Sequence, residues 1–251
     1  MRTYDMDSEE PSIWKASYEG SDQELAQMLG AGADPNERAR MPGSEGRPDS
    51  VARPLDRAAC ADRAGAVTLL IAAGAEVDAP DEDGLTPLMV AAWFGCLRAA
   101  RALLEGGADP NARDPEGASA LHYATGEGLM SEAIDMLERG ARASLAFEDG
   151  KGRLPLDLAI REGSLALVDS MAARMDELAL RAAVARWERW MGGQDLEGME
   201  RMDLFREKRS KRQEAALLRA RAALRPLDEA VEIEAAAAPA APAPGARGSW
   251  L

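Results

Sequence analysis

"EDGLTPLMVAAWFGCLRAARALLEGGADPNARD", residues 82–114, runs in order through a turn, a proline, an apolar run, a glycine, a second apolar run, a glycine pair and another turn. Pro87 sits where a helix begins, because its missing amide proton costs nothing there and its fixed φ suits the first turn. Thr86, just before it, can accept a hydrogen bond from a free backbone amide. Gly95 breaks the chain between the two runs, and Gly107 suits the left-handed conformation that ends a helix. The stretch predicts two short helices whose apolar sides neither can bury alone, so it needs copies of itself on both sides.

The copies are there. Aligning on the alanine after the apolar opening gives five anchors, Ala16, Ala58, Ala91, Ala124 and Ala159, spaced by 42, 33, 33 and 35 residues. Sixteen residues beyond each of the first four stands a Gly-Ala pair: Gly32-Ala33, Gly74-Ala75, Gly107-Ala108 and Gly140-Ala141. Pro54 and Pro155 repeat the helix-starting proline, Ser119 repeats the capping position, and Gly20, Gly128 and Gly163 repeat the mid-unit break. Leu69-Leu70, Leu103-Leu104 and Met136-Leu137 supply the bulky plug of each second helix. A fixed period of this length calls for a solenoid, in which every unit buries its apolar side against its neighbours.

Composition agrees with helices packed through small side chains: 46% of residues are hydrophobic but only 4% aromatic. No run approaches the roughly 20 apolar residues that cross a bilayer, and "MRTYDMDSEEPS" is acidic where a secretion signal would be basic and then apolar. A cytoplasmic setting is expected. Cys60 and Cys96 form no CxxC and accompany a single histidine, which predicts reduced thiols, no metal site and no cofactor. Net charge is −14 and uneven: residues 1–200 carry 20 Lys and Arg against 37 Asp and Glu, while residues 201–225 carry 9 against 3.

"GLTPLMVAA" and "GASALHYAT" resemble the T-P-L-H-x-A signature of ankyrin repeats at their period. The resemblance covers roughly residues 11–175. It implies an all-α ankyrin-repeat solenoid of about five helix-turn-helix repeats with hairpin loops, and here further C-terminal helices follow. The end repeats depart from the pattern, with Ser12-Ile13-Trp14-Lys15-Ala16 in the first and Arg174-Met175 in place of Gly-Ala in the fifth. Terminal repeats are expected to differ, because one face of each lacks a repeat neighbour. Residues 1–10 read as an N-terminal tail, 176–227 as a helical cap or extension that is basic over 201–225, and 228–251 as a disordered Ala/Pro-rich tail.

Nine extra residues within "ERARMPGSEGRPDSVAR" lengthen the hairpin between repeats one and two into a mobile loop. From Asp176 onward, Leu180, Val184, Trp187 and Met191 keep helical spacing, so Trp187 is expected in a core that caps the last repeat. A second helix is expected from about Leu196 to Arg225, carrying Arg206, Lys208, Arg209, Lys211, Arg212, Arg219, Arg221 and Arg225. Three roles stay open for its charge: contact with nucleic acid or an anionic membrane, packing on the protein's own acidic repeat face, or a solvated surface. No aromatic side chains interleave with these cations to stack bases, which weighs against nucleic acid. Ser249-Trp250-Leu251 loosely matches a C-terminal PDZ ligand and carries no argument.

The family resemblance implies a partner-binding surface formed by the hairpin tips and the exposed part of each first helix. In this sequence those positions are Tyr18 and Glu19 in the first repeat, Glu82, Asp83, Leu85, Trp93 and Phe94 in the third, Pro115, Glu116, Ala118, Gly126 and Glu127 in the fourth, and Lys151, Arg153, Arg161 and Glu162 in the fifth. Two adjacent large aromatics, Trp93 and Phe94, read as an anchor, with Tyr18 further along the same groove. The acids Asp81-Glu82-Asp83 beside them favour a partner with a basic surface. Nothing points to catalysis or to a small-molecule substrate: His122 falls at the signature histidine, and the glycines are spaced by the repeat rather than clustered into a phosphate loop. The expected function is that of a non-catalytic interaction scaffold that binds a partner protein. The alternative is a regulatory adaptor whose basic helix docks on nucleic acid or an anionic membrane.

Overall fold

The computed structural model describes residues 2–3, 12–41, 50–191 and 211–224 of the protein. Five helix pairs follow one another: α1 (Ile13–Tyr18) with α2 (Asp22–Gly30), α3 (Pro54–Cys60) with α4 (Ala64–Ala72), α5 (Pro87–Phe94) with α6 (Leu97–Glu105), α7 (Ala120–Gly126) with α8 (Met130–Glu138), and α9 (Pro155–Glu162) with α10 (Leu165–Ala172). First helices pack in a row, α1 on α3 on α5 on α7 on α9, and second helices form a parallel row, α2 on α4 on α6 on α8 on α10. The helical solenoid expected from the period is what the chain forms.

The packing follows from residue size. All five anchors, Ala16, Ala58, Ala91, Ala124 and Ala159, are at most 1% exposed. A methyl group is all that fits where neighbouring first helices approach closely. Leu25, Leu70, Leu103, Met136 and Leu167 are buried from the second-helix row and fill the layer between the rows. Pro54, Pro87 and Pro155 each open a first helix, and the Thr86 hydroxyl accepts from Met89 N–H. Gly32, Gly74, Gly107 and Gly140 hold φ between 93° and 116°, the left-handed stop that side-chain-bearing residues resist.

In the hairpins that lead into repeats three, four and five, the turn is built by a motif that periodicity alone does not reveal. Asp81, Asp114 and Asp149 each stand three residues before a left-handed glycine, Gly84, Gly117 and Gly152. Each aspartate pairs its backbone with the residue four positions on, Leu85, Ala118 or Arg153. Its Oδ1 accepts from that same residue's N–H at 2.8–2.9 Å. The carboxylate thus mimics a backbone turn, leaving the two intervening residues projecting at the tip. Asn36 and Asn111 tie each hairpin's start to the end of the next repeat's second helix, their amides donating to Gly74 O and Gly140 O.

Two expectations are corrected. The long hairpin between repeats one and two is paired where it is described: β2 (Ala39–Met41) runs antiparallel to β3 (Ser50–Ala52), and residues 42–49 lie outside the described residues. Arg2–Thr3, expected in a tail, form β1, parallel to β2, giving a sheet in the order β1-β2-β3. In repeat two the break between helices falls on Asp62, which adopts φ 54° where the other repeats have glycine.

After the fifth repeat, α11 (Glu177–Met191) packs beside α9, and α12 (Lys211–Ala222) packs on α10 and α9. They extend the first-helix and second-helix rows respectively, so the cap is itself a sixth, unorthodox pair. Trp187 is 3% exposed, in the core as expected. The stretch from 196 to 210 and residues 225–251, including Ser249-Trp250-Leu251, lie outside the described residues.

Candidate functional site

The candidate residues fall on the line where hairpin tips meet the ends of the first helices. Glu82 and Asp83 occupy the third tip, Glu116 the fourth and Lys151 the fifth, each between a turn-building aspartate and its glycine. Trp93 and Phe94 are the last two residues of α5, 45% and 55% exposed. Leu85 is only 6% exposed and belongs to the hydrophobic core. It is withdrawn from the binding surface, because the turn that projects Glu82 and Asp83 folds the next side chain inward.

Repeats four and five line an open cavity of about 430 Å³ whose wall includes seven of the candidates, Glu116, Ala118, Gly126, Glu127, Lys151, Arg153 and Arg161. Asp114, Tyr123, Asp149 and Leu158 complete much of its wall. Tyr123 was not singled out in the sequence, yet it joins the two halves of the site. Its ring stacks on Trp93 at 5.7 Å between centroids, and Trp93 stacks on Phe94 at 6.0 Å. Its hydroxyl donates to Asp114 Oδ2 at 2.6 Å. The result is an aromatic row, Phe94–Trp93–Tyr123, that ends in the cavity. The signal available in sequence was positional: Tyr123 precedes its anchor alanine by one and Trp93 follows its own by two, and these positions face each other across adjacent repeats.

Tyr18 obeys the same stagger with Arg57, whose guanidinium lies 4.3 Å from the ring centre. The first-repeat candidates Tyr18 and Glu19 do not line the cavity. Glu82 points the other way along the row, its carboxylate accepting from Val51 N–H of β3 at 3.1 Å.

Charge inside the cavity is largely spoken for. Arg153 pairs with Asp149 at 2.6 Å, and Arg161 pairs with Glu162 at 2.8 Å while donating to Gly126 O. Burial would raise the Asp149 carboxyl, but the Arg153 guanidinium and the amides of Arg153 and Lys151 hold it below its ordinary range. Burial, then the hydrogen bond to Asp114 and that group's charge, push the Tyr123 phenol upward, so it stays protonated as a donor. Glu116, Glu127 and Lys151 are exposed.

His122 borders the cavity in a purely structural role. Ser119 N–H donates to its Nδ1 at 3.1 Å, which leaves the proton on Nε2, facing Phe147 O at 3.1 Å and Arg153 O at 3.2 Å. Both ring nitrogens serve the backbone, tying the start of α7 to the next hairpin. Burial lowers the affinity of the ring for a second proton, so His122 is neutral near pH 7.

The basic helix is turned inward on its apolar side. Ala216, Leu217 and Ala220 are buried, and Arg219 pairs with Asp169 of α10. The helix packs on the repeats through its apolar side; Arg206, Lys208, Arg209 and Arg225 lie outside the described residues. Cys96 is buried and Cys60 half-buried, both as free thiols, with Cys96 Sγ donating to Cys60 O. Among the described residues no helix is long and apolar enough to cross a membrane, and no three His, Cys, Asp or Glu side chains group as metal ligands.

No curated protein matches the chain in sequence. Residues 70–124 match the family described as ankyrin repeats (many copies), a family whose repeats generally mediate protein–protein interaction and are typically non-catalytic. The match spans the third repeat and reaches from the second helix of repeat two to the anchor of repeat four, and the same helix pair stacks on either side of it. Over residues 70–124 the chain carries ankyrin repeats.

Proposed function

We propose that the protein is a non-catalytic, cytoplasmic scaffold that grips a segment of a partner protein along the hairpin tips and first-helix ends of repeats three to five. The observation that carries this reading is the Phe94–Trp93–Tyr123 row, with two large rings about half exposed and leading into a cavity. Exposed aromatics at such a junction gain from being covered, and side chains of this type dominate binding energy at protein interfaces. A solenoid ordered before binding loses little entropy when a partner docks.

Affinity purification of the wild-type protein beside Trp93→Ala/Phe94→Ala tests this. Loss of a central aromatic anchor costs about 2 kcal/mol or more, roughly thirtyfold in affinity, so partners recovered with the wild type should be depleted from the variant. Equal recovery of the same partners would remove the row from the site.

A further inference from the structure

We infer that the groove holds its partner by an arginine side chain, whose guanidinium stacks on the Phe94–Trp93–Tyr123 row and donates to Glu116 and Glu127. This rests on the proposed groove function and names the chemistry that the groove selects.

Two observations converge. The first is the charge left over once the cavity's internal pairs are set aside. Arg153 is matched by Asp149 within the cavity and Arg161 by Glu162 just outside its wall, so Asp114, Glu116 and Glu127 face Lys151 alone. The wall next to the aromatic row therefore carries surplus negative charge, and a cation is the complementary guest. The second is that the protein already uses this recognition twice on itself. Arg57 covers Tyr18 at 4.3 Å, and Arg113 covers Phe147 at 4.9 Å. Tyr18 and Trp93 hold the same place in their repeats, two residues beyond the anchor. At the Tyr18 site the facing position of the next repeat supplies the guanidinium; at the Trp93 site it supplies Tyr123, and the exposed rings keep room for a guanidinium from outside.

Arginine suits this site better than lysine. A planar guanidinium lies flat on an aromatic face while its edge N–H groups reach carboxylates, and an ammonium cannot satisfy both at once. Tyr123, which stacks on Trp93, lines one cavity together with Glu116 and Glu127, so ring and carboxylates border the same space.

The test uses the full-length protein and pools of capped hexapeptides, randomised except for one fixed central residue: arginine, lysine, citrulline, leucine or aspartate. The arginine pool should be retained roughly tenfold better than the citrulline pool, which keeps shape but loses charge, and better than the lysine pool. Trp93→Ala should abolish retention. The exposed pair Glu116→Gln/Glu127→Gln should leave the circular dichroism unchanged and erase the preference for arginine over citrulline. Selective, Trp93-dependent retention of the leucine or aspartate pool would overturn the arginine proposal and leave the groove standing. Retention of every pool equally by wild type and Trp93→Ala would overturn both.

Discussion

Arg186 of α11 reaches Asp157 of α9, its Nη1 lying 2.8 Å from Oδ2, while its Nη2 lies 2.8 Å from Glu148 Oε1 on the fifth hairpin. One side chain thereby fastens the cap to both parts of the last repeat. Asp157 is 5% exposed, accepts from Leu154 N–H through the same Oδ2, and has no hydrogen-bond partner for Oδ1 among the described residues. Removing the guanidinium leaves a buried carboxylate short of its counter-charge, so Arg186→Ala should cost about 2 kcal/mol and raise amide exchange across α9 and α11. Burial already raises the Asp157 pKa, and losing Arg186 raises it further. A protonated carboxyl does not miss the cation, so the deficit should be smaller in urea titrations at pH 4.5 than at pH 7.5; a deficit that grows on acidification would contradict this pairing.

His122 joins repeats four and five through hydrogen bonds at both ring nitrogens. Truncation leaves Ser119 N–H and the carbonyls of Phe147 and Arg153 short of a partner in a buried place, and His122→Ala should cost about 2–3 kcal/mol. As the only histidine, it gives a single imidazole signal set in ¹⁵N spectra. Those spectra should show the Nε2–H tautomer and titration below the ordinary value of 6.5. Since the folded state resists the second proton, the contribution of His122 to stability is present above pH 6.5 and is lost as pH falls below it.

Asp56 takes the corresponding place in repeat two and works in the opposite pH direction. Its Oδ2 accepts from Arg53 N–H at 2.9 Å, Oδ1 has no partner among the described residues, and burial raises its pKa to about 6. A carboxyl raised in this way favours the folded state when protonated, an advantage complete below its unfolded value of 3.8 and lost as pH rises through about 6. The stability difference between wild type and Asp56→Asn, in which His122 cancels, should therefore shift toward the wild type by about 2 kcal/mol from pH 7.5 to 4.5. A flat difference would mean that Asp56 is ionised in the fold at no cost.

The solenoid was legible because its determinants are local and repeated: small residues where first helices meet, prolines at their starts and glycines at their ends. What escaped depends on contacts between repeats. Leu85 looks like a tip residue until the Asp81 carboxylate closes the turn and points it inward. Tyr123 looks like one more helix residue until the stagger of adjacent repeats sets it on Trp93. Two residues, Arg2 and Thr3, carry too little pattern to announce a strand, and β1 exists because β2 offers a free edge. The candidate tips and the aromatic pair follow from the period together with the family resemblance; the cavity that tips four and five share with Tyr123 and Leu158 does not.

Asp62 offers a measurement of strain against capping. Its left-handed backbone, φ 54°, costs a side-chain-bearing residue about 1 kcal/mol relative to glycine. Against this, Oδ1 accepts from Ala99 N–H at 2.8 Å in the first turn of α6, and Oδ2 pairs with Arg98 at 2.8 Å. A capping oxygen contributes about 1–2 kcal/mol, and its negative charge adds a few tenths at a helix N-terminus. The cap therefore outweighs the strain, which fixes an order of stability: wild type, then Asp62→Asn, then Asp62→Gly, then Asp62→Ala. The alanine variant keeps the strain and loses the cap, so it should fall about 1 kcal/mol below glycine and about 2 kcal/mol below the wild type in urea unfolding. If glycine proves more stable than the wild type, the carboxylate contributes less than the strained backbone costs, and α6 is capped by something other than Asp62.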